Sequence, residues 1–242
     1  MKLDVLAFGV HPDDIELSCG GALLVEKSLG KKTGIVDLTQ GELGTRGTAE
    51  TRMEESAAAA VMLKVDAREN LKMADGFLSN DEAHQRQIIQ MIRKYQPEII
   101  FCNAIEDRHP DHGRSASLVS DASFLSGLVK VETKMENNVQ KPWRPKYVFH
   151  YIQDRYRKPD FVLDISDVFE QKLEAVRAYR TQFFNPDMEG PQTYISTPGF
   201  IDSIVYRAKM FGKLIGVEYG EGFNSAKSIG IKSFDALILK DT

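Results

Sequence analysis

Cysteine is nearly absent from this 242-residue chain, with only Cys19 and Cys102, so neither a disulfide framework nor a four-cysteine metal site can be built. Histidine is scarce too, five in all. Neither sign of charge dominates: 31 Lys and Arg against 35 Asp and Glu leave a net charge of −4, without the basic face a general nucleic-acid binder needs. No run approaches the roughly 20 apolar residues of a membrane span. The opening Met1–Val10 has too short an apolar stretch, and no small-residue cleavage site, for a signal peptide. The expectation is a cytoplasmic protein with neither nucleic-acid nor membrane partners. Repeats, low-complexity tracts and long linkers are also missing, which favours one domain over residues 1–242. The remaining composition, 42% hydrophobic and 27% charged, excludes collagenous, coiled-coil and disordered classes.

Short apolar runs alternate with helical patterns. Leu3–Val10 reads as a strand buried on both faces and Glu98–Cys102 as another buried strand, with Thr33–Leu38 a further strand candidate and a short strand near Glu69–Met73. Between them Asp14–Leu29, Thr48–Lys64 and Asp81–Tyr95 read as helices, and another begins near Asp111. This rhythm predicts an α/β fold, a doubly wound, mostly parallel sheet with helices on both faces, most regular over about 1–130. The less regular second half predicts strands at Lys146–Ile152 and Asp160–Ile165, helices at Asp167–Arg180 and Gly199–Leu214, and a loop over the site at Asn185–Pro198.

Three of the five histidines fall into two look-alike motifs. His11-Pro12-Asp13-Asp14 directly follows the first strand, and His109-Pro110-Asp111-His112 follows the strand ending at Cys102. Loops after parallel strands share one sheet edge, so the motifs can meet despite their separation in sequence. Residues three apart in a first helical turn face the same side, which makes His11 and Asp14 a two-point metal grip. One imidazole from the second motif completes the two-nitrogen, one-carboxylate set of catalytic zinc sites, with a position left for water. Asp13, beside the metal but not needed as a ligand, suits a general base. His84 reads as solvated, His150 as a core histidine, and both cysteines as buried thiols.

At these residues the chain resembles the PIG-L/LmbE-type zinc-dependent N-acetylglucosaminyl deacetylases, whose hallmarks are a strand followed by His-Pro-Asp-Asp and a later His-x-Asp-His. Ile15-Glu16 and the tail Ile215–Phe223 resemble the bacillithiol-biosynthesis branch, which deacetylates N-acetylglucosaminyl-malate, with Gly220 where that tail usually has alanine. The resemblance implies a Rossmann-like, LmbE-like fold, zinc (or iron(II) or cobalt in its place) on His11, Asp14 and His112, and Asp13 as base. It further implies that His109 stabilises the oxyanion and protonates the leaving amine, that Asp111 orients it, and that Arg52 holds sugar hydroxyls with Glu55 as its partner. Relatives assemble as dimers, trimers or hexamers, so a homo-oligomer is expected.

Arg46, in the glycine-bearing loop Thr39–Gly47, is a candidate for the sugar pocket or an anionic aglycone, and Tyr194 for a hydroxyl on the tetrahedral intermediate. Phe183-Phe184 reads as core or subunit contact, and Glu218–Phe223 as a candidate subunit contact. Two rival functions use the same ligands: a non-haem iron(II) oxygenase and a non-catalytic, metal-dependent sugar-binding module. The α/β pattern and the spare Asp13 and His109 favour hydrolysis over both.

Overall fold

The computed structural model describes residues 1–187 and 189–239. In chain order they form β1 (Val5–Gly9), α1 (Asp14–Ser18), α2 (Gly20–Ser28), β2 (Thr33–Thr39), α3 (Ala49–Met62), β3 (Ala67–Met73) and α4 (Glu82–Tyr95). There follow β4 (Ile99–Cys102), α5 (Pro110–Leu125), a small hairpin of β5 (Lys134–Met135) and β6 (Asn138–Val139), and β7 (Tyr147–Tyr151). The chain closes with β8 (Phe161–Asp164), a 3-10 turn at Ser166–Val168, α6 (Phe169–Arg177), α7 (Phe200–Ile215), β9 (Gly220–Ser225) and a 3-10 turn at Phe234–Leu237.

Strand β1 has no polar side chain and is buried throughout, as a central strand must be. It pairs in parallel with β2 on one side and β4 on the other, within a sheet ordered β3-β2-β1-β4-β7-β9-β8. Alternation along β1 divides the core. Leu6 and Phe8 meet Ile88 and Ile92 of α4 and Leu118 and Val119 of α5 on one face. Val5 and Ala7 meet Ile15, Ala22 and Leu23 from α1 and α2 on the other. This is the doubly wound sheet that the sequence predicts. The strand order reverses at β1 and β4, so the crevice between their C-terminal ends is the switch point where such sheets bind ligands.

Three features differ from expectation. The predicted helix Asp14–Leu29 is broken at Cys19 (φ −137°, ψ 17°) into α1 and α2. The break frees the amides of Gly21 and Ala22, which donate to the buried Glu221 carboxylate at 3.0 and 2.7 Å, an anion on a helix N-terminus. Gly21 is required there, since a Cβ would lie 2.9 Å from Ile165. Glu218–Phe223 is not a free face for a second subunit: from Gly220 it is β9, buried within the sheet and antiparallel to both β7 and β8. Short β-branched or aromatic runs signal strands in sequence, and Gly-Glu-Gly-Phe does not. The β5–β6 hairpin was not expected either, because its turn residues Glu136 (φ 49°) and Asn137 (φ 65°) lack the usual glycine.

Candidate active site and metal centre

The turn after β1 is strained and over-determined. Asp13 adopts φ 131°, costly for a non-glycine residue at about 1–3 kcal/mol. The hydrogen bonds around it hold that shape: Val10 N and His11 N both donate to Asp14 Oδ2 at 3.0 Å, and Leu17 N donates to Asp13 O at 2.9 Å. Asn103, directly after β4, donates to the same Asp14 oxygen at 3.0 Å, and Gln153, after β7, donates to Oδ1 at 2.8 Å. The second motif opens α5. Pro110 occupies the first helical turn, and the His109 ring caps it by accepting from Asp111 N at 3.3 Å.

The two motifs meet at the switch point. Ring centroids of His11, His109 and His112 lie 4.6–5.6 Å apart, and one nitrogen from each falls within 4.8 Å of the others. Asp14 lies between His11 and His112: its Oδ1 is 3.3 Å from His112 Nε2 and its Oδ2 3.7 Å from His11 Nδ1. Both imidazoles are backed by carboxylates, Asp75 Oδ1 at 3.0 Å on His11 Nε2 and Asp107 Oδ2 at 2.7 Å on His112 Nδ1. That pairing fixes a ring's tautomer and aims its other nitrogen at a metal. His112 Nε2 is buried with no hydrogen-bond partner, which is the orphan a metal ion would satisfy. The donor set of His11, Asp14 and His112 therefore fits a zinc-like divalent cation, and His109 is the third imidazole within reach.

The electrostatics favour positive charge at this point. Burial alone would lower the pKa of His11 and His112, but Asp14 with Asp75, and Asp14 with Asp107, outweigh it and raise them to about 10 and about 9. Asp14 is held well below the usual carboxylate range by His112 and His11 despite its burial. Asp13 is pushed the other way, to about 7, because burial exceeds the opposing charge of Arg52. His109 is lowered by burial and by its two histidine neighbours.

A cavity of about 220 Å³ opens over these groups. That is less than the roughly 300–1,000 Å³ of drug-sized pockets, so it suits a compact ligand such as one sugar ring. His11, Asp13, Asp14, His109, His112 and Arg52 all line it. Arg52 is buried, with Nη1 donating to Pro12 O at 2.8 Å and to Asp13 Oδ2 at 3.3 Å, and Nη2 donating to Gln182 Oε1. Gly41 sits at φ 65°, the left-handed region that favours glycine, and a Cβ there would lie 3.3 Å from the Arg52 guanidinium. Arg52 is thus placed to hold Asp13.

Other expected residues fall elsewhere. Glu55 does not partner Arg52; its carboxylate accepts from Thr181 N and Oγ1 at 2.7 and 2.8 Å. Asp111 is fully buried with its carboxylate on Arg114 (2.7 Å), and its hydrogen bond to His109 is made by its backbone amide. Arg46 lies outside the cavity lining, its guanidinium donating to Thr181 O and Pro191 O at 2.8 and 3.1 Å. Tyr194 is half-exposed and donates to Asp154 Oδ1 at 2.9 Å, with Arg108 4.4 Å above its ring; the neighbouring Ile195 lines the cavity instead. Phe183 is core and Phe184 exposed; His150 is buried, 2.9 Å from Asn103 O, and both thiols are buried. His84 is part of a surface cluster with Ser79 and Asp81.

Asp75, Asn103, Asp107, Gln153 and Arg108 were not anticipated. All five follow parallel strands at the same sheet edge as the two motifs: Asp75 after β3, Asn103, Asp107 and Arg108 after β4, and Gln153 after β7. The rule that joined the histidines would have flagged them.

Comparison with known proteins agrees with this geometry. Residues 6–123 match the PIG-L family model, described as GlcNAc-PI de-N-acetylase. The diacetylchitobiose deacetylase of Thermococcus kodakarensis is 29% identical over 236 residues, 93% of this chain and 84% of that protein. Among solved structures, the conserved protein TT1542 of Thermus thermophilus superposes with a TM-score of 0.84 at 34% identity, covering 95% of this chain and 98% of that one. The N,N′-diacetylchitobiose deacetylase of Pyrococcus horikoshii, solved with its inhibitor MPG, gives 0.78 at 26% identity, covering 91% and 82%. With both hallmark motifs joined in one site on the fold of these relatives, the chain belongs to the PIG-L family of LmbE-type deacetylases.

Proposed function

We propose that this protein is a zinc-dependent hydrolase that removes the acetyl group from an N-acetylglucosamine-containing substrate. One observation carries the reading. A carboxylate-backed pair of imidazoles and Asp14 converge on a small cavity where Asp13 and His109 remain spare, one an acceptor and one a donor. A divalent ion held by His11, Asp14 and His112 supplies Lewis acidity for the amide carbonyl and for water. Asp13, partly neutralised by Arg52, takes a proton from the attacking water as its oxygen bonds to the acetyl carbon. His109 accepts from Asp111 N on Nδ1, so its proton is on Nε2. Its Nε2–H steadies the oxyanion, and the proton that Asp13 took from water goes to the departing nitrogen as the C–N bond breaks, giving acetate and a free amine. An iron(II) oxygenase or a passive sugar-binding module would leave Asp13 and His109 without work.

The finer reading is N-acetylglucosaminyl-malate. It is supported by the resemblance at Ile15-Glu16 and Ile215–Phe223, and by Arg108, a cavity-lining cation whose side chain is 46% exposed. Arg108 replaces Arg46 as the residue to meet an anionic aglycone. One domain and a homo-oligomer, a trimer or hexamer, complete the proposal. Among the described residues no helix is long and apolar enough to cross a membrane. The test is acetate release from N-acetylglucosamine and from its malate and inositol conjugates, with metal content measured. Release from the malate conjugate with one equivalent of metal is expected. Failure on all three overturns the sugar assignment, and 2-oxoacid-dependent oxygen consumption overturns hydrolysis.

A further inference from the structure

Asp75 follows β3 in a turn that sequence reading passed over, and it is 5% exposed. Each of its polar groups is committed. Oδ1 faces His11 Nε2 at 3.0 Å, and Oδ2 accepts from Leu43 N at 3.1 Å. Its own amide donates to Glu42 Oε1 at 2.8 Å, and Glu42 Oε2 accepts from Gln40 N at 3.2 Å. The adjoining Gly76 O accepts from Arg114 Nη1 at 3.0 Å, and Arg114 also holds Asp111 of the second motif. Gly41, Leu43 and Gly44 form one wall of the cavity and His11 its floor. One carboxylate therefore joins the wall to the floor.

We propose that Asp75 is a positioning residue that couples metal occupancy at His11 to the order of the cavity loop at residues 40–44. This rests on the reading of His11 as a metal ligand. A metal on Nδ1 requires the proton on Nε2, and that N–H needs an acceptor. Asp75 Oδ1 provides it. A carboxylate is rigid and planar, so fixing Oδ1 on the imidazole also fixes Oδ2, the acceptor for Leu43 N. The loop then hardens when metal enters, and by reciprocity a hardened loop tightens metal binding. Substrate thus meets a formed wall in the loaded protein alone.

The two sides of the coupling are read separately, without activity: zinc affinity by chelator competition, and hydrogen exchange of the Leu43 amide with and without zinc. In the native protein zinc slows Leu43 exchange. Asp75→Asn weakens zinc binding about 10–100-fold and abolishes that slowing even at saturating zinc. Glu42→Ala leaves the His11–Asp75 pair in place yet weakens zinc binding in the same direction, by at least about fivefold, and keeps the test open should Asp75→Asn fail to fold. A purely orienting role would change affinity and leave Leu43 slowing intact; a purely structural role would change the loop and leave affinity intact. Either result overturns the coupling. A native protein without zinc affinity overturns the metal reading and the coupling with it, whereas native zinc binding unaltered in both variants overturns the coupling alone.

Discussion

Glu221→Gln tests whether the buried charges beneath the site hold the fold. Glu221 and Lys172 are 3% and 2% exposed, with Oε1 2.5 Å from Nζ. The same carboxylate caps α2 through Gly21 N and Ala22 N, just beyond the helix that carries Asp14. Glutamine keeps the shape but leaves Lys172 as an uncompensated buried charge, costing about 3–5 kcal/mol. For a chain of this length that lowers the melting temperature by roughly 6–20 °C, at about 2–4 °C per kcal/mol. The pH dependence has a definite sign. Burial already lowers the Lys172 pKa and Glu221 opposes that shift, so the variant's lysine is lowered further. The penalty is full while Lys172 is charged and shrinks as rising pH removes its proton. Urea unfolding at neutral and alkaline pH measures this. A loss below about 1 kcal/mol at pH 7, or a deficit that grows with pH, would refute the reasoning.

Two other outcomes follow from the site and the core. Asp107→Asn removes the charge behind His112 Nδ1 while backbone amides of Asp154 and Arg155 still need Oδ1 (3.2 and 2.8 Å), so zinc affinity falls about 10–100-fold in chelator competition with the fold intact by circular dichroism; unchanged affinity would remove Asp107 from the centre. Cys19 and Cys102 are both buried, and burial pushes both thiols up, so neither reacts with a thiol-specific chromogenic disulfide until the protein is denatured; rapid labelling of the native protein would contradict their placement.

The first half of the fold was legible because its central strands β1, β2 and β4 are short, mostly apolar runs closed by a turn, whereas the half-buried edge strand β3 carries Arg68, Glu69 and Lys72 and follows that rule only in part. β9 escaped it: Glu221, Gly222 and Asn224 carry no strand signal, and the segment is a strand because β7 and β8 need a partner between them. The helix break at Cys19 was likewise invisible, since its cause, the Glu221 carboxylate, lies about two hundred residues away. At the site, paired motifs with fixed spacing brought out His11, Asp13, Asp14, His109 and His112. Asp75 and Gln153 stand alone in sequence and join the cavity through sheet order. Arg46 and Glu55 sit in the right segments, but their side chains turn to Thr181. Segment position is readable from spacing; side-chain direction is set by tertiary packing.

The central claim is that Asp13 is the base beside a metal held by other residues. Its most direct test is Asp13→Asn, with zinc content and acetate release measured on one preparation of folded protein. The account predicts zinc bound as in the native protein and acetate release lowered about 10²–10⁴-fold. Native-level release from the zinc-replete variant would contradict it, as would loss of the zinc itself.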